Sequence, residues 1–395
     1  MIDPVVLKFN EAVWHDQAYQ HPQLGRLTQR DFFNREQEKA QLEQLLTAHD
    51  CRTVAIVGER RSGKTSFLKC SVHRLEQDAS GQFLPVLIPW QGIQTRDALA
   101  DEILYGIRRQ VIKACPTATP ARLDHTPPTD NAFLELIKQL VALIPGRQII
   151  ICIDEYDSLV EEAPQPEQPR LLTLITRLAE CRNLPVRLLL TITGETDRLP
   201  SLRGVPLLAQ ATRVRLRPFT PPVFFAMVRE LLGPADSLSP QELEYLYVLS
   251  GGWPYFGKLL LVALTEVVQD DDRLAHALVV AITHADVADT LINIYTMHLD
   301  DAEKALMLLL AQTHNRVRAA DLVRCDVMLD TAAGTLVERD FVARYDDGSY
   351  RFQIGLLAQW FQCWPRGAEE ALWRLPPAYA ADGRLADRAD GCSAT

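Results

Sequence analysis

Short, strongly apolar runs alternate along the first half of the chain with longer stretches whose apolar positions recur every three or four residues. TVAIV (53–57), FLPVLI (83–88), QIIICID (148–154) and VRLLLTIT (186–193) read as buried strands, and TRVRL (212–216) as a fifth. Helical spacing marks 36–48, 66–76, 96–114, 131–143 and 170–182. The Pro- and Thr-rich stretch 116–130 and the run APQPEQPR (163–170) read as loops. Strands buried on both faces and alternating with helices predict an α/β fold around a parallel sheet covered on both sides.

The pattern changes after Pro218. PPVFFAMVRELL, PQELEYLYVLS and PYFGKLLLVALTEVV predict a helical lid, and 273–299 continues in helix. From 301 it changes again, with helices at 302–312, 319–325 and 329–339 followed by FVARY-DDGS-YRFQI. The last segment reads as a hairpin turning at Asp346–Ser349. Three helices and a hairpin predict a winged helix. The expected organisation is an arm (1–30), an α/β core (31–217), a helical lid (218–300), a winged helix (301–365) and a tail (366–395) with little order beyond 378.

The bulk properties narrow the partners. The 395 residues are 47% hydrophobic, enough for two or three cores, and the net charge is −10, which argues against a general polyanion binder. The eight cysteines include no CxxC and no spaced pairing with histidine, so a zinc site is not expected. Scattered thiols suit a reducing, cytoplasmic setting. The N-terminal sequence lacks a signal pattern, and no apolar run reaches the roughly 18–20 residues of a membrane span.

The chemistry is concentrated at two strand ends. Gly58-Glu59-Arg60-Arg61-Ser62-Gly63-Lys64-Thr65-Ser66 follows the first strand and opens a helix, and it fits G-x-x-x-x-G-K-[ST], the Walker A pattern. Such a loop turns backbone N–H groups toward phosphate oxygens, with the positive end of the helix behind them. Lys64 then reaches the β- and γ-phosphates, and the Thr65 hydroxyl ligates Mg²⁺. The third strand ends in Asp154-Glu155, the Walker B position. Asp154 is the expected magnesium-side carboxylate and Glu155 the base that orients water. Asp157 is expected in a solvated loop or as a helix cap. In a sheet ordered 5-1-4-3-2 the fourth strand ends beside the loop, where Thr193 is placed to sense the γ-phosphate.

Together these residues resemble the AAA+-related STAND ATPases, in particular the compact archaeal-ATPase-like group, over about residues 30–362. Two further segments carry the likeness. FFNREQE (32–38) resembles the motif that opens these domains near the adenine, with Asn34 in place of the usual glycine, so only Phe33 and Arg35 carry over. SGGWPYFGKLL (250–260) resembles the lid motif Gly-x-Pro, which falls on Gly252, Trp253 and Pro254. In the family that proline packs near the nucleotide. The resemblance implies ATP and Mg²⁺ as cofactors, a switch formed by core, lid and winged helix, and a separate effector or sensor protein as partner. It leaves a nucleotide-dependent homo-oligomer open.

Two departures favour a slow switch over a motor. Lys258 is a weak substitute for the sensor arginine of oligomeric machines, and no arginine finger is identifiable, with Arg198 and Arg203 the arginines in the right region. The alternative is a DNA-associated AAA+ ATPase of the origin-recognition or transposition type. Residues 319–354 weigh against it, with four arginines and no lysine against seven acids.

Overall fold

The computed structural model describes residues 33, 35–48, 50–78, 81–117, 127–194, 202, 205–233, 238–266, 273–283, 291, 294–295, 299–313, 315–325 and 327–363. The predicted arm and tail, and most of the helix expected after 283, lie outside the described residues. The chain divides into two compact units. The first runs from Asn34 to Leu216. The second takes the described residues from Arg217 onward, with Phe33 and the short stretch Arg60–Ser62 clustering with it.

The first unit is α/β. In chain order it contains α1 (Glu36–Thr47), β1 (Thr53–Gly58), α2 (Lys64–Gln77), β2 (Phe83–Ile88), α3 (Arg96–Ala114) and α4 (Asp130–Val141). There follow β3 (Gln148–Ile153), α5 (Tyr156–Glu161), α6 (Gln168–Glu180), β4 (Val186–Thr193), α7 (Pro206–Gln210) and β5 (Thr212–Arg215). All strand pairs are parallel, in the order β2-β3-β4-β1-β5. This is the predicted order read from the other edge, and it matches a P-loop NTPase fold.

Local chemistry starts the helices. Thr95 and Thr129 cap α3 and α4 by accepting from the N–H of Ala98 and Ala132, at 3.1 and 3.2 Å. Helices pack on one face of the sheet through a core that includes Ile103, Ile137, Ile151, Leu174 and Leu190, and Ile56, Phe67, Leu68, Ile150 and Leu189 are buried outside that cluster. Each such side chain removed from water contributes about 1.5–3 kcal/mol. The short helices α5 and α7 were not predicted, because five or six residues are too few to show a helical period.

Register positions the functional strand ends. β4 lies between β1 and β3, with Ile56 paired to Thr191, Gly58 to Thr193, and Ile153 to Leu190. Alternation sends Leu188, Leu190 and Ile192 into the core named above and turns Thr191 and Thr193 to the opposite face.

The second unit contains α8 (Pro221–Leu232), α9 (Pro240–Ser250), α10 (Pro254–Glu266), α11 (Arg273–Thr283), α12 (Asp301–Gln312), β6 (Val317–Arg318), α13 (Ala319–Cys325) and α14 (Val327–Glu338). The antiparallel pair β7 (Val342–Arg344) and β8 (Ser349–Phe352) and the helix α15 (Gly355–Cys363) complete it. β6 joins the hairpin to make a three-stranded sheet, β6-β8-β7. At two residues, β6 was too short to predict. The hairpin turn, expected at Asp346–Ser349, falls one residue earlier because Ser349 already pairs with Arg318. Capping boxes start α9 (Ser239 with Glu242) and α12 (Asp300 with Glu303).

One hydrophobic core runs through this whole unit, from Phe224 and Phe256 to Leu306, Phe341 and Trp360. Trp253 is stacked on Phe341 at 5.9 Å. Gly252 shows how closely the segments approach: a Cβ on it would lie 2.3 Å from the carbonyl oxygen of Phe219.

Candidate functional site

β1 delivers the chain to Gly58, and the loop 59–63 leads into α2 at Lys64. Arg61 (φ 67°) and Gly63 (φ 96°) are left-handed on either side of Ser62. Backbone of alternating hand turns successive N–H groups to one side and makes an anion-binding concavity, here at the N-terminus of a helix. Ser62 is buried, and its hydroxyl has no hydrogen-bond partner. An orphaned buried hydroxyl, the left-handed turns and the helix end together fit a phosphate group. Glu59 is buried at the start of the loop, whereas Arg60, Arg61 and Ser66 are exposed.

Lys64 is 7% exposed, and its Nζ donates to the carbonyls of Gly58 (2.9 Å) and Glu59 (3.0 Å). Burial pushes its pKa down, and the carboxylates of Asp157, Glu59, Glu155 and Asp154 oppose that shift. The lysine is therefore set among four acids, which places the loop and the end of β3 at one site.

Direct bonds say the same. Thr65 Oγ1 donates to Asp154 Oδ1 at 3.2 Å, across 89 residues of sequence. Asp154 Oδ1 also accepts from Thr191 Oγ1 at 2.7 Å. Glu155 follows in a left-handed conformation, φ 47° and ψ 52°, and its N–H donates to Thr191 Oγ1 at 2.7 Å. A hydroxyl and a carboxylate beside a phosphate-binding loop suit Mg²⁺, which takes few protein ligands and completes its shell with phosphate oxygens and water.

Asp157 requires a correction. Rather than lying in a solvated loop, it is 5% exposed in the first turn of α5. Its Oδ2 accepts from the N–H of Thr193 at 3.0 Å, and its Oδ1 is buried without a partner. Burial raises its pKa, and the Lys64 charge and the Thr193 bonds pull the other way. The sequence carried little signal for this, because α5 is only six residues long and begins after Asp154 and Glu155. Thr193 is thus tied to Asp157, whereas Thr191, which was not singled out from the sequence, touches the acid pair.

The remaining candidates lie elsewhere. Arg35 sits at the N-terminus of α1 with φ 84°, buried and paired with Glu38 at 2.9 Å; burial lowers its pKa. Phe33 packs against the core of the second unit. Pro254 opens α10, also in the second unit, where a missing N–H costs no helical bond. Lys258 is half-buried on α10, and burial lowers its pKa. Arg198 and Arg203 lie outside the described residues.

A phosphate-binding loop after β1 and an acid pair after β3, on a parallel sheet of this order, define a P-loop nucleotide-binding core. In agreement, residues 31–192 match the model of the AAA ATPase domain. No curated protein matches the chain. Among solved structures, a Walker-type ATPase of Pyrococcus abyssi is similar over 85% of this chain and 97% of its own, at 19% identity and a TM-score of 0.59. That likeness shows the fold. The ORC1 protein of Aeropyrum pernix, solved in complex with DNA, is similar over 85% of this chain and 95% of its own, at 18% identity. Its TM-score of 0.47 is too low to bear on function.

Proposed function

We propose that this protein is a STAND-type molecular switch that binds ATP, hydrolyses it slowly and signals its nucleotide state to a separate partner or effector protein. The observation that carries the nucleotide part is the Thr65–Asp154 hydrogen bond, which joins the end of the phosphate loop to the acid pair. In this reading the loop 58–66 cradles the phosphates. Lys64 exchanges its two carbonyl bonds for charged phosphate oxygens, which are stronger acceptors. Thr65 and Asp154 hold Mg²⁺, which when bound screens the phosphate charge and fixes its geometry. Glu155 orients the attacking water and takes its proton. Thr193 and Asp157 lie beside this set as a route for sensing the γ-phosphate. Phe33, Arg35 and Pro254 keep the adenine-side and lid roles that the family likeness suggests.

The switch reading rests on the motif resemblance and on the second unit. Its single core makes the lid helices and the C-terminal module one body, which we read as a winged helix fused to the lid. That module is poorly suited to DNA. Arg339 is 3% exposed and paired with the buried Glu303, and Arg351 is paired with Asp347. Two of the four arginines between 319 and 354 are therefore already neutralised. Among the described residues no helix is long and apolar enough to cross a membrane. The cysteines Cys51, Cys70, Cys115, Cys152 and Cys181 are unpaired, in keeping with a cytoplasmic setting.

Calorimetric titration with ATP tests the nucleotide reading. Wild-type protein binds, and at ATP near 100 Kd gains about 2.7 kcal/mol of stability; Lys64→Ala loses both. Unchanged binding by the variant would refute the site.

A further inference from the structure

We propose that Thr191 is a positioning residue of the ATPase site, whose single hydroxyl sets both members of the Asp154–Glu155 pair. This deepens the Mg²⁺–ATPase reading above and rests on it. Thr191 is completely buried near the end of β4. Its Oγ1 lies 2.7 Å from Asp154 Oδ1 and 2.7 Å from the backbone nitrogen of Glu155. The roles of these two bonds are fixed by chemistry. A backbone N–H can only donate, so the Glu155 bond occupies a lone pair on Oγ1. The hydroxyl proton is then left for the carboxylate of Asp154. One hydroxyl thus donates to the acid that faces the metal and accepts from the residue that carries the base.

The backbone explains why such a clamp is needed. Glu155 has φ 47° without being glycine, a conformation that persists only where the surroundings enforce it. It marks the point where β3 stops and α5 begins, and it sets the direction of the Glu155 side chain. The Thr191 bond fastens the N–H of that residue. The same hydroxyl shares Asp154 Oδ1 with Thr65 Oγ1, which leaves the other carboxylate oxygen, Oδ2, to face other partners. Partners of this kind, which hold a metal-side ligand without touching the metal, change metal affinity or activity by about 10–100-fold when removed.

A hydroxyl at this position is not explained by the strand. On the same face of β4 the neighbouring Leu189 is fully buried and apolar. Valine has the same shape and is also at home in a strand, so strand preference alone does not call for the hydroxyl. Only the two polar partners account for the oxygen.

The test compares Thr191→Val, which keeps the shape and removes the hydroxyl, with Thr191→Ser, which keeps the hydroxyl. ATP binding is titrated by calorimetry with and without Mg²⁺, and turnover is measured beside it. Thr191→Val is expected to bind ATP as wild type does without magnesium, to need about 10–100-fold more Mg²⁺ for its full effect, and to lose turnover by a similar factor. Thr191→Ser is expected to restore the magnesium response. If the valine variant does not fold, Thr191→Cys replaces it, since a thiol bonds weakly in both directions. A hydroxyl-free variant with wild-type magnesium response and turnover would overturn this proposal alone. Wild-type protein indifferent to Mg²⁺ would remove the ATPase reading, and this proposal with it.

Discussion

Placing a methyl group on Gly252 would strain the turn that opens α10. Gly252 has φ +76°, and a Cβ there would lie 2.3 Å from the Phe219 carbonyl oxygen and 3.0 Å from the Tyr247 ring. The nearest obstacle is backbone, which cannot swing aside as a long side chain does. A left-handed residue with a Cβ costs about 1–2 kcal/mol. Relieving the overlap costs about 1–3 kcal/mol more, as in other over-packed sites. The shift also disturbs the bond from Phe219 N–H to Gly252 O, now 2.8 Å, whose net contribution is about 1 kcal/mol. Gly252→Ala is therefore expected to destabilise the protein by about 3–6 kcal/mol, a large share of an ordinary total of about 5–15 kcal/mol. Gly334 is the internal control. It lies within α14, and nothing stands within 4 Å of its would-be Cβ. Gly334→Ala should stabilise by about 0.5–1 kcal/mol. Urea unfolding followed by circular dichroism reads both. Equal midpoints for Gly252→Ala and wild type would refute the argument that this turn needs glycine at close approach.

The buried pair of Arg339 and Glu303, 3.5 Å apart, should be costly to break from one side, so Arg339→Ala is expected to lose about 3–5 kcal/mol in the same unfolding assay; a change within experimental error would mean that the pair is not desolvated. Duplex DNA binding by the intact chain, measured by anisotropy across a salt series, should stay weaker than about 1 μM at about 150 mM salt. Tighter binding there would favour the DNA-associated reading. The intact chain is the right material, because cutting at 300 would divide a core to which Phe256 and Phe341 both belong.

The sheet was legible in the sequence because its inner strands are buried on both faces, so QIIICI and VRLLLTIT read as apolar runs with few polar interruptions. The phosphate loop and the acid pair were legible because glycine, lysine and adjacent carboxylates occur there at spacings that the chemistry dictates. Thr191 and Asp157 were harder. A threonine in a strand is ordinary by propensity, and its significance comes from a register with β3 that no local pattern encodes. Asp157 reads as a solvated acid after a strand until α5 is recognised, and six residues show no period. The continuity of the second unit was hidden for a similar reason: Trp253 and Phe341 stack across 88 residues of sequence, and nothing near either one announces the other.

The central claim is that the loop 58–66 and the acid pair form one magnesium-dependent ATPase site, and single-turnover hydrolysis of ATP against rising Mg²⁺ tests it most directly. Wild-type protein should hydrolyse ATP slowly and only with the metal. Glu155→Gln should bind ATP with the same affinity and lose turnover by at least about 100-fold, the usual contribution of a positioned base. Asp154→Ala should weaken the magnesium response itself. Equal turnover in wild type and Glu155→Gln, or hydrolysis in wild type that ignores Mg²⁺, would contradict the account.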